Sequence, residues 1–432
     1  MINDKLALFG GSKVINYKFK TFNTINKREI SAVNKVLKSG VLSGFLGTRS
    51  KASLGGPNVQ RFEQKVKSFF KVKYAISVNS WTSGLICAVG SLNIEPGDEI
   101  ILPTWTMSAC SSAILAWNAI PVFADIEDKT FCISVESIEK NISKKTKAII
   151  AVDIFGQSAN MKKIMLLAKK YNIKVISDSA QSPGAFYNGR YAGTLADIGG
   201  FSLNYHKHIH CGEGGVLVTN NKILAERMRL IRNHAESVIN PKSNRIQLSN
   251  MIGYNFRLGE IESVIAIEQL KKLNKIIKKK IYIANIITKG IKNLEGLKVP
   301  KIRKGCNHVY YVYPIIIDTD KIGIDKFIIH KALEAEGLDS VSVYYQNLHL
   351  LPLFQKKIAY GKNGFPWRFG SKKNNINHKK GICPIAEKLQ DKTFLGLNSI
   401  CRYDLSKKDA LNIVKIFKKV WLNLENIKLK CQ

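Results

Sequence analysis

The chain has 432 residues, enough to bury a large core and to divide into two or three domains. Hydrophobic residues make up 45% and charged residues 23%, the balance of a folded water-soluble protein, and no apolar run approaches a membrane span. The 67 Lys and Arg against 32 Asp and Glu give a net charge of +35, but the excess is mostly lysine spread along the chain, not the arginine of bidentate phosphate readout, so specific nucleic-acid binding is not expected.

The N-terminus, Met1-Ile-Asn-Asp-Lys, lacks a basic region followed by an apolar one, so no secretory signal is expected. The eight cysteines are scattered and form no CxxC pair, which argues against a disulfide framework or zinc site and fits a reducing cytoplasm. Residues 43–57 are rich in glycine and small residues and read as a loop. From 74 to 220, short apolar runs alternate with helical patterns. Strands are predicted at 74–78, 99–103, 121–124, 148–152 and 174–177, with helices at 82–92 and 161–171. Such alternation implies an α/β fold with a mostly parallel sheet between helices, and ligands at the carboxyl ends of its strands. Helices are predicted at 221–235 and 259–293, the second long and lysine-rich. A strand at 309–317, helices at 325–336 and 406–421, and a polar loop at 355–380 complete a smaller α+β unit. The expected division is a large domain over 1–295, including the N-terminal segment, and a small domain over 296–432.

Four segments at strand ends carry the chemistry. The first is Val78-Asn-Ser80-Trp-Thr82-Ser83, a strand running into a helix. Hydroxyl residues there either cap the helix or leave backbone N–H groups for a phosphate, with Thr82 and Ser83 as candidates. The second is Ile176-Ser-Asp178-Ser-Ala-Gln181, where Asp178 either caps a turn or faces a ligand. The third, Phe201-Ser202-Leu-Asn-Tyr-His-Lys207, is followed by the glycine-rich turn Gly212-Glu-Gly-Gly215. In so lysine-rich a chain Lys207 has a solvated surface residue as its plain reading, but apolar and glycine-rich flanks set it apart. The fourth is Gly253-Tyr-Asn255-Phe-Arg257. His206, His208 and His210 would alternate on one strand face, but no cysteine or carboxylate cluster accompanies them, so no metal is expected.

Together these segments resemble the DegT/DnrJ/StrS class of sugar aminotransferases, which use pyridoxal 5′-phosphate (PLP) on the aspartate-aminotransferase fold. The resemblance runs from Leu6-Ala-Leu-Phe-Gly-Gly through Pro103-Thr-Trp-Thr106 and Gly156-Gln157 to Tyr345-Gln-Asn-Leu-His349 and Cys383-Pro-Ile-Ala-Glu387. It implies that Lys207 attaches the cofactor and then acts as general base and acid. It implies that Asp178 pairs with the pyridine nitrogen and Gln181 with the phenolic oxygen, and that Thr82, Ser83 and Ser202 hold the phosphate. Asn255 would reach the phosphate of a neighbouring subunit, making the protein a homodimer with a shared site. Arg257 would orient substrate or support the interface, and His349 would project into the substrate pocket. The implied reaction moves an amino group from glutamate or glutamine to a keto-sugar, a keto-deoxysugar linked to a nucleotide diphosphate. A keto-cyclitol acceptor, or a non-catalytic PLP-binding regulator, are the alternatives. Two departures stand out. Met107 replaces the aromatic ring the family places over the cofactor, leaving Trp105, Trp81 or the thioether itself to pack there. Asp153-Ile-Phe-Gly156 stands where many members have H-x-x-G. A dehydratase branch replaces the lysine by histidine; Lys207 is retained, which favours transamination.

Overall fold

The computed structural model describes residues 5–47, 50–235, 252–369 and 376–431. Thr48, Arg49 and residues 370–375, which belong to the two predicted loops, lie outside the described residues. The chain lays down β1 (Tyr74–Val78), β2 (Glu99–Pro103), β3 (Ile120–Ala124), β4 (Thr146–Val152) and β5 (Lys174–Asp178). After a small hairpin of β6 (Phe186–Tyr187) and β7 (Arg190–Tyr191) come β8 (Ile198–Ser202) and β9 (Gly215–Thr219). Seven of these form one sheet in the order β1-β9-β8-β5-β4-β2-β3, with β9 antiparallel to both its neighbours and the other pairings parallel. This is the mixed, mostly parallel α/β sheet that the strand–helix alternation predicts.

Both faces of the sheet are covered, and side-chain alternation along the strands divides the core in two. On one face Leu217, Ile76 and Ile198 pack with Leu85, Ile164 and Met228 of the helices Trp81–Gly90, Met161–Lys170 and Lys222–Arg232. On the other, Val216, Val218 and Ala75 pack with Phe62 and Val66 of the helix Pro57–Phe70 and with Ile267 and Leu270 of the helix Glu260–Ile291. Helices at Lys27–Ser39, Pro57–Phe70, Ser108–Leu115 and Val135–Asn141 were not expected from periodicity.

A second sheet of β10 (Leu297–Lys298), β11 (Tyr313–Ile317), β12 (Val341–Ser342) and β13 (Phe394–Leu397) is antiparallel throughout, in the order β10-β11-β13-β12. It packs against the helices Lys326–Ala335 and Lys407–Leu422. The long helix Glu260–Ile291 joins the two cores: Ile267 and Leu270 belong to the first, Ile283 and Ile287 to the second. The N-terminal segment differs from the expected division. Leu6, Ile15 and Phe19 are buried in the core of the second sheet, not that of the large sheet. The cause is Glu336, a fully buried carboxylate that accepts from Ala7 N at 2.8 Å and Val14 N at 3.2 Å and pairs with Lys419 at 2.9 Å.

The predicted strand 309–317 is also shorter than expected. Only Tyr313–Ile317 pairs in the sheet. Val309 N donates to Gly156 O at 2.7 Å and Tyr311 N to Phe155 O at 2.9 Å, so the stretch before β11 is drawn to the turn Ile154–Gly156 that follows β4. That approach requires Gly156, whose φ is +120° and whose Cβ, if present, would lie 2.5 Å from Tyr310 N. The crossing delivers Tyr311 to the site.

Candidate active site

The loops after β1, β2, β4, β5 and β8 converge at the carboxyl ends of the parallel strands, around a cavity of about 600 Å³. Thr82, Met107, Asp178, Gln181, Ser202 and Lys207, all singled out from the sequence, line it.

Lys207 follows β8 on a turn and is 7% exposed. Its Nζ donates to Tyr311 Oη at 3.3 Å and lies 4.4 Å from the centroid of the same ring. Burial pulls its pKa down to about 8, a shift that the negative charge of Asp178 partly opposes. A neutral, nucleophilic amine is therefore available near neutral pH. His206 lines the same cavity, and burial with the neighbouring Lys207 charge pushes it down to about 4. The three histidines lie outside any strand: His208 is fully buried with Nε2 2.8 Å from Val309 O, and so does not share His206's surroundings.

Asp178 ends β5, buried, and its Oδ1 accepts from Trp81 Nε1 at 2.7 Å. Gln181 is held at both ends of its amide: Oε1 accepts from Phe155 N at 2.7 Å and Nε2 donates to Tyr345 Oη at 3.2 Å. At the start of the helix Trp81–Gly90, Ser80 Oγ accepts from Ser83 N at 3.1 Å. Ser83 Oγ donates to Asn79 Oδ1 at 2.7 Å, so this hydroxyl serves the cap and does not line the cavity. Trp81 and Thr82 N–H remain as first-turn groups without intrahelical acceptors, the feature that suits an anion.

Other expectations fare differently. His349 is fully buried away from the cavity, with Nδ1 2.6 Å from Thr104 Oγ1 and Nε2 2.9 Å from Glu387 Oε1. Its two ring nitrogens are used up in bracing the loop after β2 against the helix Pro384–Lys388. Asn255 is exposed and Arg257 Nε donates to Asn233 Oδ1 at 2.7 Å, both outside the cavity of their own chain. Trp105 cannot stack in the cavity, being fully buried with Nε1 donating to Asn347 Oδ1 at 2.7 Å. Met107, 64% exposed, stands in the cavity wall at the position where the resemblance implies an aromatic ring. Tyr311, Tyr345, Asn204 and Glu213 also line the cavity and were missed. Each lies in or beside a segment the sequence singles out: Asn204 in Phe201–Lys207, Glu213 in the Gly-Glu-Gly-Gly turn, Tyr311 in the apolar run Val309-Tyr-Tyr-Val and Tyr345 in Tyr345-Gln-Asn-Leu-His349.

Asp153 sits behind the site, fully buried, with Ala159 N donating to its Oδ1 at 2.8 Å and the hydroxyls of Ser177 and Ser179 to its Oδ2. Burial pushes its pKa up to about 6. A raised folded-state pKa gives stability that is fully present below the unfolded value, near 4, and lost as pH rises through about 6. Asp153→Asn is expected to be less stable relative to the wild type at pH 4 than at pH 7.5. Urea midpoints at the two pH values check this, and an identical gap at both would contradict it.

The family model for the DegT/DnrJ/EryC1/StrS aminotransferase family matches residues 23–377. A GDP-perosamine synthase of Vibrio cholerae is 32% identical over 356 residues, covering 81% of this chain and 91% of that protein. A UDP-N-acetyl-3-dehydro-alpha-D-glucosamine 3-aminotransferase of Acidithiobacillus ferrooxidans is 31% identical, covering 86% and 88%. An aminotransferase of Psychrobacter cryohalolentis superposes with a TM-score of 0.78 at 25% identity, covering 95% of this chain and 100% of that one.

Proposed function

Since the chain belongs to the DegT/DnrJ/EryC1/StrS aminotransferase family, we propose that it carries PLP on Lys207 and transfers an amino group from glutamate or glutamine to a nucleotide-diphosphate-linked keto-deoxysugar. The observation that carries this reading is a buried amine of lowered pKa and a buried carboxylate sharing one cavity at the strand ends. The residues fit the cofactor: an amine for its aldehyde, a carboxylate for its ring nitrogen, and helix-start N–H groups with Thr82 and Ser202 for its phosphate.

Bound there, PLP supplies an electron-withdrawing ring and a carrier for the amino nitrogen. Lys207 Nζ, once neutral, would take the proton from the α-carbon of the donor and deliver it to the cofactor carbon that carries the transferred nitrogen. Asp178 would supply the carboxylate that pairs with the ring nitrogen. Gln181, held by Phe155 N and Tyr345, offers its second amide hydrogen to the phenolic oxygen. Ser83 supports the phosphate end through the helix cap rather than by contact. Asn255, exposed and outside its own cavity, serves the phosphate of a second copy in a homodimer, with Arg257 braced beside it. The sugar class is supported by the two relatives, one named for making GDP-perosamine and one for acting on a UDP-linked 3-dehydro-glucosamine. No described helix is long and apolar enough to cross a membrane. A reducing cytoplasm suits the eight free cysteines.

Adding PLP to the purified protein is expected to produce a visible absorption band that shifts on adding glutamate. A band that ignores both glutamate and glutamine would overturn the donor assignment. The attachment rate is expected to rise about tenfold per pH unit below about 8 and level off above it, because only the neutral amine attacks. A stopped-flow pH series that is flat from pH 6 to 9 would contradict the assignment of Lys207.

A further inference from the structure

Trp81 lines the cavity, and its indole is committed to Asp178. Nε1 donates to Asp178 Oδ1 at 2.7 Å across a separation of 97 residues. The same oxygen accepts from Ala180 N at 3.0 Å. Asp178 Oδ2 accepts from Cys110 Sγ at 3.1 Å, and that sulfur lies 3.1 Å from Thr106 Oγ1. Trp81, Cys110 and Asp178 are all buried.

The indole has a seat built for it. Gly200 on β8 is the register partner of Asp178 on β5. A Cβ at Gly200 would lie 2.2 Å from Trp81 Cζ3, and one at Gly84 would lie 2.8 Å from Cε3. The missing side chain beside Asp178 in the sheet is what lets a large ring reach the carboxylate.

We propose that Trp81 is a positioning residue, whose indole N–H aims the Asp178 carboxylate toward the ring nitrogen of the cofactor, with Cys110 as a second, weaker donor. This rests on the PLP reading above. An indole is a donor only and does not titrate, so its bond favours the charged carboxylate alone. A thiol donates weakly, which ranks the two. A hydrogen bond to a charged group is also stronger than a neutral one, and here it is shielded from water.

Trp81→Phe keeps a ring in the glycine seat and removes the N–H. PLP binding is titrated by absorbance in the wild type, Trp81→Phe, Cys110→Ala, Asp178→Asn and each double variant, with melting temperatures of the cofactor-free proteins as a control on folding. The expected result is PLP affinity about tenfold weaker in Trp81→Phe, the equivalent of one charge-assisted hydrogen bond. Cys110→Ala should lose a few-fold. Both losses should vanish in the Asp178→Asn background, and the pH midpoint of the bound cofactor's absorbance should move in Trp81→Phe. A loss of the same size with and without Asp178, or no loss in Trp81→Phe, overturns the proposal, since the indole would then act by packing or not at all. A folded wild type that takes up no PLP instead overturns the cofactor reading on which the proposal stands.

Discussion

Lys207→Ala is expected to lower amino-group transfer by roughly 10⁴-fold or more, since it removes both the attachment point of the cofactor and the group that moves the proton. The fold should survive. The side chain makes one long bond, 3.3 Å to Tyr311 Oη, and its charge sits in a buried place that has already pulled its pKa down to about 8. Removing a group whose charged form is disfavoured by burial does not weaken the folded state at neutral pH. Turnover, the visible band with PLP and a thermal melt, measured on the same preparation, separate these effects. A variant that retains transamination within tenfold of the wild type would remove Lys207 from the chemistry and send the search to another amine.

The second large effect concerns stability. Arg232 and Glu63 form a buried pair, Nη1 to Oε1 at 2.7 Å, with side-chain exposures of 0% and 7%. Glu63 Oε1 also accepts from Ser77 N at 2.9 Å and Ser77 Oγ at 3.0 Å. Arg232 Nη1 also donates to Ser77 O at 3.0 Å. The pair therefore locks the helix Pro57–Phe70, β1 and the end of the helix Lys222–Arg232 to one another just below the turn that carries Ser80 and Thr82. Glu63→Gln keeps the shape but strands a buried guanidinium, and it should destabilise the protein by about 3–5 kcal/mol. Chemical denaturation gives the number directly. A loss below about 1 kcal/mol would mean that the pair behaves like a solvated surface bridge. Because Asn233, next in the chain, holds Arg257, the same variant should also weaken PLP binding if Asn255 serves a second subunit.

Much of the large sheet was legible because its information is local. β1, β2 and β5 fall within a residue of their predicted positions, since a short apolar run bounded by turn residues has little else to become. The missed helices fall into two kinds. Lys27–Ser39 carried a readable signal, the capping box of Asn26 and Glu29. Ser108–Leu115 carried none, being a run of small and apolar residues buried nearly all round.

By itself, then, the sequence determined the ends of β1 and β5, and so placed Thr82, Asp178 and Gln181 on one cavity wall, while Ser202 and Lys207 on the same wall follow β8, a strand the periodicity does not predict, and were singled out by their glycine-rich flank and the family resemblance. Strand ends are set by local periodicity, and a parallel sheet brings all its carboxyl ends to one side. Only the tertiary structure decided what those residues touch. Tyr311 reaches Lys207 from 104 residues away, Tyr345 reaches Gln181 from 164, and Trp81 reaches Asp178 from 97. It also turned His349 inward to Glu387 and carried the N-terminal segment to the second core through Glu336. Such pairings depend on which buried polar group finds which partner once two surfaces are packed, and no local pattern encodes that choice.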